Sequence, residues 1–200
     1  MNDPDTPSRR NSPPALRLAA TSSANGAQAA AAPAEGPLVA IVEALQDAAA
    51  DRGAIAEVVR QRLGDARTLG LLAQGDCARG VAALLVATLR EAGDAVRRSL
   101  ADHPDDAAGR LACVRAAIRF GQVLVAQGLL APRRLEPALA AQQSSGRRLG
   151  EELVAEGQIS AREVAEALWL QHKLCAAALA LLLLPGREAA APRLVHSTRD

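Results

Sequence analysis

Arg148–Gln171 reads RLGEELVAEGQISAREVAEALWLQ, and 29 residues upstream Arg119–Gln142 reads RFGQVLVAQGLLAPRRLEPALAAQ. The two 24-residue stretches align without a gap across the five-residue spacer QSSGR. Arg119 falls on Arg148, Gly121 on Gly150, Gly128 on Gly157 and Gln142 on Gln171. The apolar positions repeat with them: Leu124 and Leu153, Leu130 and Ile159, Leu135 and Val164, Leu139 and Leu168. This spacing predicts a helix, a tight glycine turn and a second helix in each unit. Ser160-Ala-Arg-Glu163 is a capping box, which marks where the last long helix begins.

The rest of the chain points to the same fold class. It has 200 residues, 50% of them hydrophobic but only 1% aromatic, and Ala, Leu, Val and Arg dominate. That composition lacks the aromatic and β-branched enrichment of sheets, so the expected class is all-α. Residues 37–118 read as a helical bundle and residues 119–184 as the tandem-repeat domain. Leu38, Ile41, Val42 and Leu45 share one helical face behind Gly36-Pro37, and Ile55, Val58, Val59 and Leu63 repeat the pattern up to Gly64. ARTLGLLAQG reads as a looser connection. Asp76 is expected to cap a helix striped by Val81, Leu84, Leu85, Thr88 and Leu89, which Gly93-Asp94 is expected to break, with a short helix following to about Leu100. Asp105 or Asp106 caps the next helix, carrying Leu111, Val114 and Ile118. No breaker separates that helix from Arg119, so the sequence leaves open whether one continuous helix runs into the first repeat and takes up the amides of its first corner. Pro137 is expected in a frayed first turn. Residues 1–36, mixing Pro, Ser and an Ala tract, and residues 185–200 read as disordered tails.

Composition also narrows the function. The net charge is +1, which provides no basic field for duplex nucleic acid. Cys77, Cys113 and Cys175 lack metal or dithiol spacing, and the three histidines form no pair on one helix, so neither a metal site nor a cofactor is expected. No G-x-x-x-x-G-K-[ST], G-x-S-x-G or H-E-x-x-H motif is present, and the chain reads as non-enzymatic. The N-terminus has no apolar signal core, and the apolar run Cys175–Leu184 is about half a membrane span. A cytoplasmic protein, at most peripheral to a membrane, is therefore expected.

The repeated Arg-x-Gly corner has a specific chemistry. A glycine in the opening turn of a helix lets another molecule approach the backbone. A guanidinium beside it can grip phosphate bidentately or lie flat on a purine. A carboxamide both donates and accepts, as recognition of a base edge requires. Two copies suit a ligand that is itself two-fold symmetric.

Arg119–Gln171 resembles the MshEN domain, the cyclic di-GMP-binding module at the N-terminus of type II secretion and type IV pilus ATPases. That family's pattern is approximately R-L-G, apolar pairs around a Gly, two Leu and a terminal Gln, twice over. The resemblance implies that Arg119 and Arg148 contact guanine or phosphate, that Gly121 and Gly150 admit the ligand to the backbone, and that Gln142 and Gln171 meet the bases. It further implies an apolar floor of Leu124, Leu135, Leu139, Leu149, Leu153, Val164 and Leu168, with Phe120 standing where the family has Leu. The expected function is a cyclic di-GMP receptor or adaptor that acts on a protein partner in a secretion, pilus or exopolysaccharide machine. The alternative is a ligand-free helical adaptor, with Cys175–Leu184 supplying an oligomer contact.

Overall fold

The computed structural model describes residues 36–46 and 51–184. Apart from Gly36, the predicted tails at 1–36 and 185–200 lie outside that range. Among the described residues the protein is all-helical: α1 (Gly36–Leu45), α2 (Arg52–Leu63), α3 (Ala66–Leu72), α4 (Cys77–Asp102), α5 (Ala107–Ala117), α6 (Phe120–Ala126), α7 (Pro132–Ser145), α8 (Leu149–Ala155) and α9 (Ala161–Leu183).

Local chemistry sets many of these boundaries. Asp51 accepts from Gly53 N, Asp65 from Thr68 N and Asp106 from Gly109 N, each satisfying an amide with no helical partner. Ser160 and Glu163 complete the predicted box at the start of α9. Gly128 and Gly157 end α6 and α8 at φ 73° and 67°. In each turn the amide two residues beyond the C-cap bonds back to the helix, Leu129 N to Leu124 O and Gln158 N to Leu153 O, both at 2.9 Å.

Three local expectations are corrected and one open alternative is decided. The segment after Gly64 is the short helix α3, started by the Asp65 cap. α4 runs through Gly93-Asp94 without a break, because Gly93 is buried and a Cβ there would sit 3.6 Å from Leu182 of α9. Packing between the two long helices outweighs the roughly 1 kcal/mol that a mid-helix glycine costs. Pro137 lies inside a helix that starts regularly at Pro132, so it is not in a frayed turn. Finally, α5 stops at Ala117: Ile118 leaves the helical region at φ −98°, ψ 83°, and α6 starts afresh after Arg119.

One apolar core joins the two halves of the chain. Ile41, Leu45, Leu85 and Val96 belong to the same buried cluster as Leu124, Leu153, Leu170 and Leu174. α4 packs on α1, α5, α6 and α9, and α2 packs on α9. α9 is long and apolar enough to cross a membrane by length and composition alone, yet Leu174, Ala177 and Ala178 in it are fully buried in this core. Cys77 and Cys175 are buried, and burial raises both thiols, Cys77 to about 11, so neither is a ready nucleophile.

α3 is fastened to α9 by charge. Lys173 Nζ lies 2.9 Å from Asp65 Oδ2 and 5.2 Å from the centre of the Trp169 ring, whose other cationic neighbour is Arg67 at 5.0 Å. Burial opposes ionisation of Asp65, but hydrogen bonds from Lys173 and Thr68 outweigh it and lower its carboxyl to about 2. The unfolded carboxyl titrates near about 4. The stabilisation is therefore complete above that range and is lost as the pH falls toward about 2. Asp65→Ala should cost about 1 kcal/mol at neutral pH, lowering Tm by roughly 2 to 4 °C, with the deficit shrinking below about pH 4. Melting curves from pH 7 to 2 check this; a deficit that does not change with pH would show that the carboxylate charge is not what matters.

Candidate ligand-binding site

The two Arg-x-Gly corners lie against each other. A Cβ on Gly121 would run into the end of Leu135 and meet Leu149 at 3.3 Å; a Cβ on Gly150 would meet Val164 at 3.0 Å and Phe120 at 3.4 Å. Leu135 and Val164 are equivalent positions in the two 24-residue stretches, and so are Phe120 and Leu149. Each glycine therefore packs on the second helix of its own stretch and on the residue after the arginine of the other. This exchange is reciprocal, as a local two-fold axis between α6 and α8 requires. It also means that both glycines are buried beneath apolar side chains.

The arginines stand at the rim. Arg119 and Arg148 are the N-cap residues of α6 and α8, in extended conformation at φ −76°, ψ 141° and φ −72°, ψ 148°. Both are exposed, and among the described residues neither guanidinium makes an ion pair or hydrogen bond. Their backbone amides are held locally, Arg119 N by Gln122 Oε1 at 3.2 Å and Arg148 N by Glu151 Oε2 at 3.1 Å. That is half a capping box, and the other half needs an acceptor that arginine lacks. α6 and α8 are seven residues each, so attraction for an anion falls on the guanidiniums and not on a helix dipole.

The seven residues expected to form an apolar floor divide by burial. Leu124 and Leu153 are fully buried, Leu149 is buried, and Leu135 and Val164 are half-buried. Leu139 and Leu168, one helical turn beyond Leu135 and Val164, remain 39% and 49% exposed. Only these last two and the edges of Leu135, Val164 and Phe120 can meet a ligand without opening the core.

The two glutamines differ. Gln142 lies near the end of α7, half-buried, and no hydrogen bond to its carboxamide exists among the described residues. Gln171, in the body of α9, donates from Nε2 to the Ile118 carbonyl at 2.7 Å, so one of its two N–H groups is engaged by the backbone. Sequence reasoning missed Glu152, which is buried and accepts from Ser145 Oγ at 2.7 Å, tying the end of α7 to α8. Its counterpart in the first stretch is the apolar Val123, so the repeat pattern could not reveal it.

Two cavities are lined elsewhere. One of about 230 Å³ lies between α1 and α2 beside Val39, Val42 and Arg60, and one of about 430 Å³ lies between the start of α4 and the α6–α7 turn. Neither is lined by Arg119 or Arg148. Among the described residues no group of three His, Cys, Asp or Glu could hold a metal ion. Comparison with protein-family models, curated proteins and solved structures finds no match to the chain.

Proposed function

We propose that the protein is a non-enzymatic receptor for cyclic di-GMP, built as a helical bundle followed by two tandem helix-turn-helix repeat units that together bind one ligand. The observation that carries this reading is the pair of N-cap arginines. Asp, Ser, Asn and Thr are the favoured caps, and this chain uses Asp51, Asp65, Asp106 and Ser160 for that purpose. At the two equivalent starts that face each other it places Arg, a residue that cannot cap. α7 also starts without a side-chain cap, on Ala131, and Asp76 makes no cap bond at α4, but only Arg119 and Arg148 put a charged residue that cannot cap at matched positions, as a site would require.

In this reading Arg119 and Arg148 take the two phosphates or stack on the two guanines, and the bases lie on the exposed Leu139 and Leu168. Gln142 and the free donor and acceptor of Gln171 address the base edges. Leu135, Val164, Phe120 and Leu149 cover the glycines and must shift for the ligand to reach the backbone at Gly121 and Gly150. Leu135 presents its flexible end to Gly121, which makes that shift easy. Leu124 and Leu153 act from beneath, as core. The ligand ties the two repeats into one shape and biases the protein toward a form that engages a partner in a secretion, pilus or exopolysaccharide machine on the cytoplasmic side. It can do so only by its difference in affinity between the two forms.

Titration calorimetry and thermal melting with cyclic di-GMP test the proposal. One ligand per chain is expected. At 100 times Kd the ligand adds about 2.7 kcal/mol of stability, worth roughly 5 to 10 °C in a protein of this size. GTP, which lacks the two-fold symmetry, should give little. Absence of heat and of any melting shift at millimolar cyclic di-GMP would leave the helical adaptor as the better reading.

A further inference from the structure

α5 and α6 carry a continuous helical pattern, yet the chain breaks between them at Ile118. No glycine or proline marks the break, and the one local aid is Gln122 Oε1, which accepts from Arg119 N at the start of α6. The tertiary structure adds a long-range partner. Ile118 is fully buried, its carbonyl has left the helical ladder, and the group that satisfies that carbonyl is the carboxamide of Gln171, 53 residues away on α9. A buried carbonyl without a partner is costly, so this contact can decide between a broken and a continuous path.

We infer that Gln171 is a positioning residue: by donating to the Ile118 carbonyl it holds the α5–α6 break open and so sets where Arg119 and Phe120 stand against the second repeat. The direction of α6 follows from that break, and the contact of Phe120 with Gly150 follows from the direction of α6. The last residue of the second repeat thus sets the geometry of the first. The resemblance gives Gln171 a base contact alone, and here it acts first on its own backbone. This inference deepens the proposed function and rests on it for its binding arm only.

The test uses the full chain. Gln171→Glu keeps the shape and removes the donor at neutral pH; Gln171→Leu removes all polarity. Without any ligand, amide exchange read residue by residue should slow at least about ten-fold at Phe120 and Gly121 in both variants, because a continuous helix gives those amides carbonyl partners that they now lack. With cyclic di-GMP, Gln171→Glu should weaken binding about ten-fold, and adding Arg119→Ala to it should cost little more, whereas adding Arg148→Ala should cost its full effect. Unchanged exchange at Phe120 and Gly121 would overturn the inference. So would full additivity with Arg119→Ala, the result expected if Gln171 only touches the ligand. If the wild-type protein binds no cyclic di-GMP, the function proposed above fails while the exchange result still decides the role of Gln171.

Discussion

Arg119→Ser/Arg148→Ser should bind cyclic di-GMP at least 100-fold more weakly than the wild type and should melt at a slightly higher temperature. The two effects have opposite signs for separate reasons. A charge-assisted hydrogen bond is worth about 1.5 to 3 kcal/mol, roughly 10- to 150-fold per arginine, and two are removed. Serine at an N-cap, in contrast, accepts from the first-turn amides and completes the box that Gln122 and Glu151 already half form. That gain is about 0.5 to 1 kcal/mol per helix. Because neither guanidinium has a protein partner among the described residues, nothing in the fold is lost. Calorimetry and melting on the same samples check both halves. If the double variant binds normally, the arginines are not in the site; if it loses several kcal/mol of stability, they belong to the fold and the cap argument fails.

Leu153→Ala and Leu168→Ala should part in the opposite sense. Both positions are leucines implied by the resemblance to floor the site, but Leu153 is 0% exposed and Leu168 is 49% exposed. Truncating a fully buried leucine removes its transfer free energy and leaves a cavity, at about 2 to 5 kcal/mol, which corresponds to a Tm lower by roughly 5 to 15 °C. Truncating Leu168 should change Tm by no more than about 2 °C and weaken cyclic di-GMP several-fold, through the apolar area no longer covered by a base. Denaturant and thermal unfolding, paired with titration, provide the comparison. A Leu168→Ala variant of unchanged affinity would remove the exposed leucines from the site.

Much of the architecture is legible in sequence because it is local. Gly128 and Gly157 stop their helices by adopting positive φ, and Ser160 and Asp106 start theirs with side chains that reach only three residues. The outcome the sequence misread at Gly93 and the one it left open at Ile118 share one feature. Gly93 breaks nothing because Leu182 packs against it, and at Ile118, where the helix breaks, Gln171 satisfies the carbonyl. In both cases the deciding partner lies more than 50 residues away, where propensity and periodicity have no reach.

For the candidate site the division is similar. Matched arginines, glycines and glutamines at a fixed offset are a property of the chain order, and the chemistry proposed for them was legible without any coordinates. Which apolar residues could touch a ligand was not readable, since Leu124, Leu139, Leu153 and Leu168 are alike as letters. Exposure separates them, and exposure depends on what α4 and α9 cover. By itself, then, the sequence determined the helical class, the Gly128 and Gly157 turns, the caps at Asp106 and Ser160 but not those at Asp51 and Asp65, and the duplicated Arg-x-Gly pattern, all of which arise from interactions within a few residues. Tertiary structure alone decided that the corners meet face to face, that their glycines lie under Leu135, Leu149, Val164 and Phe120, and that Gln171 bonds the Ile118 carbonyl next to the first corner. Those outcomes are set by burial and by long-range hydrogen bonding, which exist only once the helices have packed.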